Sequence, residues 1–342
     1  MKSIKKLSGG LKKMKKIIND PSNILDEMLN GLVFAYEDLV ERLPETSVIH
    51  RKVEPTGKVG LVSGGGSGHE PSHAGFVGKG MLSAAVCGEV FTSPTPDQIL
   101  EGIKASDEGK GVFLIIKNYS GDVMNFDMAK ELAEMEDIEV DYIVVDDDIA
   151  VEDSTYTAGK RGIAGTVLVH KILGAAAEKG LSLTEIKVLA DKLIPTVKSL
   201  GVALNPATVP EVGKPGFELE ADEIEFGVGI HGEPGYRREK LQPSAALAKE
   251  LVTQLKKEFQ WQKGDSFAVL VNGMGGTPLM EQFIFMNDVK QLLTDEGLTL
   301  DFRKVGDYMT SIDMEGLSLT LVKLEDTSWL EYLNAPVTTI AW

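Results

Sequence analysis

Across 342 residues the chain carries 52 acidic against 35 basic side chains, a formal net charge of −17, which excludes a nucleic acid or an anionic membrane as its main partner because most of the exterior would repel it. Cys87 is the single cysteine, so an intrachain disulfide and a cysteine-based zinc cluster are both excluded, as suits a reducing cytoplasm. No apolar run is long enough to span a bilayer.

The first thirteen residues are lysine-rich without an apolar h-region and are read as a leader or extension, expected to be disordered. From Asp20-Pro21, an N-cap and N1 pair, apolar residues recur at helical spacing through Leu43, predicting one long amphipathic helix that stops at Pro44. Val59-Gly60-Leu61-Val62 reads as a buried strand, and Ser63 to His73 follows as a glycine-rich loop. Thr95-Pro96 opens a helix to about Ala105, and Val112 to Ile116 is a strand covered on both faces, ending in Lys117-Asn118-Tyr119-Ser120-Gly121-Asp122. A helix from about Met124 to Met135 leads to a strand at Tyr142 to Val145 and then to Asp146-Asp147-Asp148. Gly162 to Lys179 reads as a buried helix, and Ser182-x-x-Glu185 is a capping box for the next, which contains Pro195. Alternating strands and helices predict an α/β fold whose first sheet is largely parallel and covered by helices, with polar strand ends gathered at one edge.

From about Gly201 the texture turns to proline- and glycine-punctuated extended chain as far as His231. The domains are therefore expected to be 14–200, carrying the glycine loop, and 201–342, carrying His231, with the site in the cleft between them. In the second half a helix is predicted near 245–259 and a strand at 267–271. The turn Asn272 to Pro278 leads to a helix ending near Thr294, strands near 298–304 and 317–323, and a short helix around Trp329.

The glycine loop is not a P-loop, because His69-Glu70 stands where a lysine and a hydroxyl residue are required. Gly227-Val228-Gly229-Ile230-His231-Gly232 matches G-x-G-x-x-G, yet Glu233-Pro234-Gly235 follows where a dinucleotide fingerprint needs a helix, so the match is attributed to chance. His69 is read as a functional histidine. His73 reads as a supporting residue rather than its metal partner, since Pro71 lies between them. His231, flanked by glycines at a tight turn, can serve as base, ligand or nucleophile, or as a turn residue bonded to backbone. Asp122 can accept a proton from a hydroxyl if His69 or Lys117 sets its charge, while Lys117 can equally be a strand-end lysine reaching water. Asp146 to Asp148 suits either a hard cation or, more simply, solvent and helix capping. Lys160-Arg161 reads as a solvated loop or a contact for an acidic partner, and His170 as a packing residue.

Five stretches carry a resemblance to a known family: Gly64-Gly65-Gly66-Ser67-Gly68-His69-Glu70-Pro71, Phe91-Thr92-Ser93-Pro94, Lys117 to Asp122, Thr157-Ala158-Gly159-Lys160-Arg161-Gly162 and Gly229-Ile230-His231-Gly232-Glu233-Pro234-Gly235. From Met14 onward the chain resembles the dihydroxyacetone-binding K subunits of the bacterial phosphotransferase-system-dependent dihydroxyacetone kinases. The resemblance implies that His231 holds dihydroxyacetone as a covalent hemiaminal. It implies that Gly66, Ser67, Gly68, His69, Lys117 and Asp122 complete the substrate site, with His69 and Asp122 in acid/base work. It implies no metal or cofactor on this chain. ADP and magnesium are expected on a separate L subunit, rephosphorylated by an M subunit fed from phosphoenolpyruvate, and the chain itself is expected to be a cytoplasmic homodimer. The other readings are a regulatory paralogue that binds the ketone as a transcriptional coactivator, and a nicotinamide oxidoreductase resting on the Gly227 pattern. Two departures accompany the resemblance: a short segment between Gly235 and Phe267, and the lysine-rich leader.

Overall fold

The computed structural model describes residues 15–52, 55–152 and 157–342, and the leader expected at 1–13 lies outside them. The first sheet contains β1 (Val40–Arg42), β2 (Val48–Arg51), β3 (Gly60–Ser67), β4 (Ala84–Val90), β5 (Val112–Lys117) and β6 (Val140–Val145) in the order β1-β2-β4-β3-β5-β6. The run β4-β3-β5-β6 is parallel, and β2 and β1 extend it antiparallel. The second sheet contains β7 (Val197–Asn205), β8 (Glu223–Phe226), β9 (Arg237–Lys240), β10 (Ser266–Gly273), β11 (Thr299–Gly306) and β12 (Glu315–Lys323), ordered β11-β10-β12-β7-β8-β9. Its β10–β11 pair is parallel and the rest antiparallel. Strand β7 crosses the position at which the chain was expected to divide.

The helices are α1 (Ile24–Ala35), α2 (Pro96–Ser106), α3 (Ser120–Met135), α4 (Gly165–Glu178), α5 (Leu183–Leu193), α6 (Ser244–Phe259), α7 (Leu279–Asp295) and α8 (Thr327–Asn334). They stack with the sheets in five layers. Ile99 and Ile103 of α2, with Phe126 and Ala129 of α3, cover the outer face of the first sheet. Leu251 and Leu255 of α6, with Phe285 and Val289 of α7, cover the outer face of the second. Between the sheets lie α4, α5 and α8 in one continuous apolar cluster that takes residues from both halves, among them Phe113, Val169, Leu270 and Trp329. Every residue of α4 from Gly165 to Ala177 is buried, as a helix that is apolar all round must be. Among the described residues no helix is long and apolar enough to cross a membrane.

Several elements depart from the expected boundaries. The first helix stops at Ala35 and its expected C-terminal third becomes a turn and strand β1, in which Val40 pairs with Arg51. Leu39 and Val40 do face the core, but a cross-strand partner holds them there. The glycine stretch is strand rather than loop as far as Ser67. A Cβ on Gly64 would lie 2.4 Å from the Val86 carbonyl oxygen, so glycine is what lets β4 approach. Helix α3 begins at Ser120, which puts Asp122 in its first turn. Pro195 lies in a single 3-10 turn, Ile194–Thr196, beyond the end of α5, as its missing N–H favours. The capping box of α5 forms as expected: the Ser182 hydroxyl accepts from the Glu185 N–H, and the Glu185 carboxylate accepts from the Ser182 N–H at 2.8 Å.

Candidate functional site

The parallel strands deliver their polar ends to one edge of the first sheet, where an α/β crevice is expected. His69 follows β3, Phe91 follows β4, Tyr119 and Asp122 follow β5, and Asp147 and Asp148 follow β6. Two segments of the second half close over this edge. Residues 308–312, between β11 and β12, bond back to it: Ile312 N–H donates to the Gly68 carbonyl at 2.7 Å and Thr310 N–H to that of His69 at 3.2 Å. The turn at 227–235, after β8, brings in His231.

The His69 ring is fully buried and stacks on Phe91 with centroids 5.0 Å apart. Its Nδ1–H donates to the Thr310 carbonyl at 2.7 Å, and its Nε2 stands 3.1 Å from His231 Nε2. Burial, with lesser contributions from His231 and Lys117, holds its pKa well below the ordinary imidazole value, so the ring is neutral at neutral pH. The rings of Tyr119 and Phe91 stand nearly perpendicular to that of His231, with centroids 4.7 and 5.0 Å away. On its other side Nδ1 lies 3.0 Å from Glu233 Oε1, and its backbone N–H donates to Glu233 Oε2 at 2.6 Å. Burial pushes the Glu233 carboxyl up, but the hydrogen bond from His231, the charge that ring carries when protonated, and Arg161 beyond together hold the pKa below the usual carboxylate range.

Lys117 and Asp122 form a second buried pair, Nζ to Oδ2 3.3 Å. The other Asp122 oxygen, Oδ1, has no hydrogen-bond partner among the described residues. Both close approaches depend on glycine. A Cβ on Gly65 would lie 2.5 Å from Lys117 Nζ, and one on Gly66 2.5 Å from the Thr92 nitrogen. Gly66, Thr92, Ser93, Tyr119, Asp122 and His231 all face a cavity of about 550 Å³. An imidazole and a carboxylate around such a space, the carboxylate backed by an ammonium, suit the capture of a small polar electrophile and proton transfer to or from it.

Of the seven residues assigned to the substrate site, Gly66, His69, Lys117, Asp122 and His231 thus converge. Ser67 and Gly68 sit beside them with their polar groups already engaged. The Ser67 hydroxyl donates to the Gly88 carbonyl at 2.7 Å, and the Gly68 N–H to the Glu70 carboxylate at 3.0 Å. His73 meets His170 rather than His69, Nδ1 to Nε2 2.9 Å, and burial drives the pKa of His170 down to about 3.

Within the acidic run Asp147 and Asp148 are buried rather than solvated, and among the described residues no group of three or more His, Cys, Asp or Glu is placed to hold a metal ion. Asp147 caps the start of α4 through the Ile163 and Gly165 N–H groups at 2.7 and 2.8 Å, and burial pushes its pKa up to about 6. Asp148 pairs with Arg161 at 2.6 Å, so Arg161 is a buried ion-pair residue and not part of a solvated loop. Glu233 and the Thr310 carbonyl were assigned no role from sequence. Glu233 left a signal, an acid two residues after a glycine-flanked histidine; Thr310, 241 residues from His69, left none.

The family described as the Dak1 domain matches residues 30–341. The chain is 66% identical over 327 residues to the dihydroxyacetone-binding subunit DhaK of a PTS-dependent dihydroxyacetone kinase from Lactococcus lactis, covering 96% of this chain and 98% of that one. It is 64% identical over 329 residues to the corresponding subunit of dihydroxyacetone kinase 1 from Listeria innocua, covering 96% and 100%. The solved structure of a dihydroxyacetone kinase operon co-activator, Dha-DhaQ, superposes with a TM-score of 0.88 at 48% identity, covering 92% of this chain and 97% of that one. With its two helix-covered sheets and the family match running almost from end to end, the chain belongs to the Dak1 family, that of the DhaK subunits of dihydroxyacetone kinases.

Proposed function

We propose that this chain is the dihydroxyacetone-binding subunit of a phosphotransferase-system-dependent kinase, holding its ketone on His231 while a partner subunit delivers the phosphoryl group. The meeting of His231 with His69, Nε2 to Nε2 at 3.1 Å beside the cavity that Asp122 also faces, carries this reading. Nε2 of His231 adds to the carbonyl carbon, and the C=O π pair moves onto oxygen. That oxygen gains a proton as the ring loses the one on its other nitrogen, so the hemiaminal forms with no atom lost. Glycerol offers similar hydroxyls but no electrophilic carbon and is refused.

Asp122 then takes the proton of the terminal hydroxyl through its free Oδ1 as the hydroxyl oxygen attacks phosphorus. The bond from phosphorus to the donor breaks, its electron pair leaving with the donor. Lys117 holds the carboxylate in place from Oδ2. The donor nucleotide, ADP rephosphorylated by an M subunit, belongs with magnesium on the L subunit, and the kinase works in the cytoplasm with this chain as a homodimer.

Incubating the chain with L and M subunits and phosphoenolpyruvate is expected to yield dihydroxyacetone phosphate. The His231→Ala variant should form no ketone adduct by intact-mass analysis under gentle ionisation. The similarity to a co-activator supports a second reading, a regulator that binds the same ketone. Ketone capture without any turnover in the reconstituted system would select it.

A further inference from the structure

We propose that Glu233, backed by Arg161, is a positioning residue that keeps the proton of His231 on Nδ1 and so leaves the Nε2 lone pair free for the ketone. The inference rests on the capture reading above for its consequence, though not for its geometry. The Thr310 carbonyl can only accept, so His69 carries its proton on Nδ1 and presents a bare Nε2. That lone pair stands 3.1 Å from His231 Nε2. Left alone, His231 would place its own proton on Nε2 and donate it to His69, which satisfies both rings and blocks the nucleophile.

Glu233 opposes this with two acceptor oxygens set against two donors of the same residue, the His231 ring Nδ1 at 3.0 Å and the His231 backbone N–H at 2.6 Å. A charge-assisted hydrogen bond of this kind outweighs a neutral one between rings. The positive charge of Arg161 lies behind the carboxylate and adds to what favours its ionised form. Arg161 is anchored by Asp148 at Nε and Nη2 and donates from Nη2 to the Gly227 carbonyl at 2.7 Å, which leaves Nη1 without a hydrogen-bond partner among the described residues. Glu233 Oε2 and Arg161 Nη1 close over the same backbone point: a Cβ on Gly229 would lie 2.0 Å from the first and 2.7 Å from the second. The glycine of the Gly-Ile-His-Gly-Glu stretch and the arginine of Gly-Lys-Arg-Gly, which no step of the transfer uses, thereby acquire a role.

The test is a long-range proton–nitrogen correlation spectrum of the ligand-free chain labelled with ¹⁵N-histidine, paired with ketone capture by intact mass. In the wild type both His69 and His231 are expected as the Nδ1–H tautomer. Glu233→Ala should move His231 to Nε2–H, leave His69 unchanged, and weaken capture by about 100-fold or more, in the direction seen when a tautomer-fixing carboxylate is lost from other histidine sites. Glu233→Gln, which keeps the shape if the alanine variant fails to fold, has one oxygen for two donors and should give a mixture of tautomers and a smaller loss. His231 found as Nε2–H in the wild type, or as Nδ1–H in both variants, would overturn the inference. Wild-type protein that shows the Nδ1–H tautomer yet takes up no ketone would instead overturn the capture reading and leave the tautomer assignment standing.

Discussion

Asp122 Oδ1 is a buried carboxylate oxygen without a hydrogen-bond partner among the described residues, on a residue whose other oxygen is held by an ammonium. Leaving such a group unpaired is costly, and that cost makes a hydroxyl placed against it a welcome proton donor. Asp122→Asn preserves the shape and removes the base. Ketone capture is expected to stay within a few-fold of wild type while phosphoryl transfer drops by roughly 10²–10⁴, compared by intact mass and a coupled assay for the product. Equal loss of both would contradict the separation of capture from transfer. His170 offers a test in the fold rather than the site. Burial takes its pKa from 6.5 to about 3, so between these values the unfolded chain binds a proton that the folded chain refuses. Its contribution is therefore intact above about pH 6.5 and declines as the pH falls, by at most about 1.4 kcal/mol per pH unit. His170→Gln abolishes that uptake. Between pH 7 and 5 the wild-type Tm should fall more steeply than the variant's, and parallel curves would count against a neutral buried histidine.

At the scale of elements, β3 shows why a glycine-rich stretch was legible as a candidate site but not as a strand. Glycine is depleted in strands and read as loop. Here it serves close approach, since a Cβ on Gly66 would lie 2.5 Å from the Thr92 nitrogen and 2.8 Å from the Phe91 carbonyl carbon. Both neighbours are backbone and cannot swing aside, so Gly66→Ala must part β3 from the 91–94 segment. A destabilisation of about 1–3 kcal/mol is expected by denaturant titration, together with loss of ketone capture because Phe91 also stacks on His69. Unchanged capture would mean that this loop has freedom to move. Elements whose signal is local came through well: β5 by its apolar run, α4 by its all-round apolarity, α5 by its capping box. Strands β1, β2 and β9 did not, because three or four residues are too few for a period, and pairing with a distant neighbour decides them.

For the whole molecule the decisive layer is the middle one. Because α4, α5 and α8 share one core with residues of both sheets, neither half buries its inner face without the other. Thermal unfolding is accordingly expected as a single cooperative transition, with calorimetric and van't Hoff enthalpies equal, despite the two sheets. Two separated transitions would show the halves to be independent. The same shared layer sets the site, since it fixes the distance between the strand ends of the first sheet and the 227–235 turn of the second.

Periodicity, caps and glycine spacing, all properties of short windows, were enough to reveal an α/β chain, the principal helices and buried strands, and the polar motifs at the strand ends. They could not show which of five histidines face one another. Only the folded chain brings His231 to His69 across 162 residues, and sets Thr310 and Glu233 behind the two rings. The reason is physical: a ring-to-ring contact of 3.1 Å is the outcome of two sheets packing on one shared layer of helices. That packing sums many weak apolar contacts made between residues far apart in the chain.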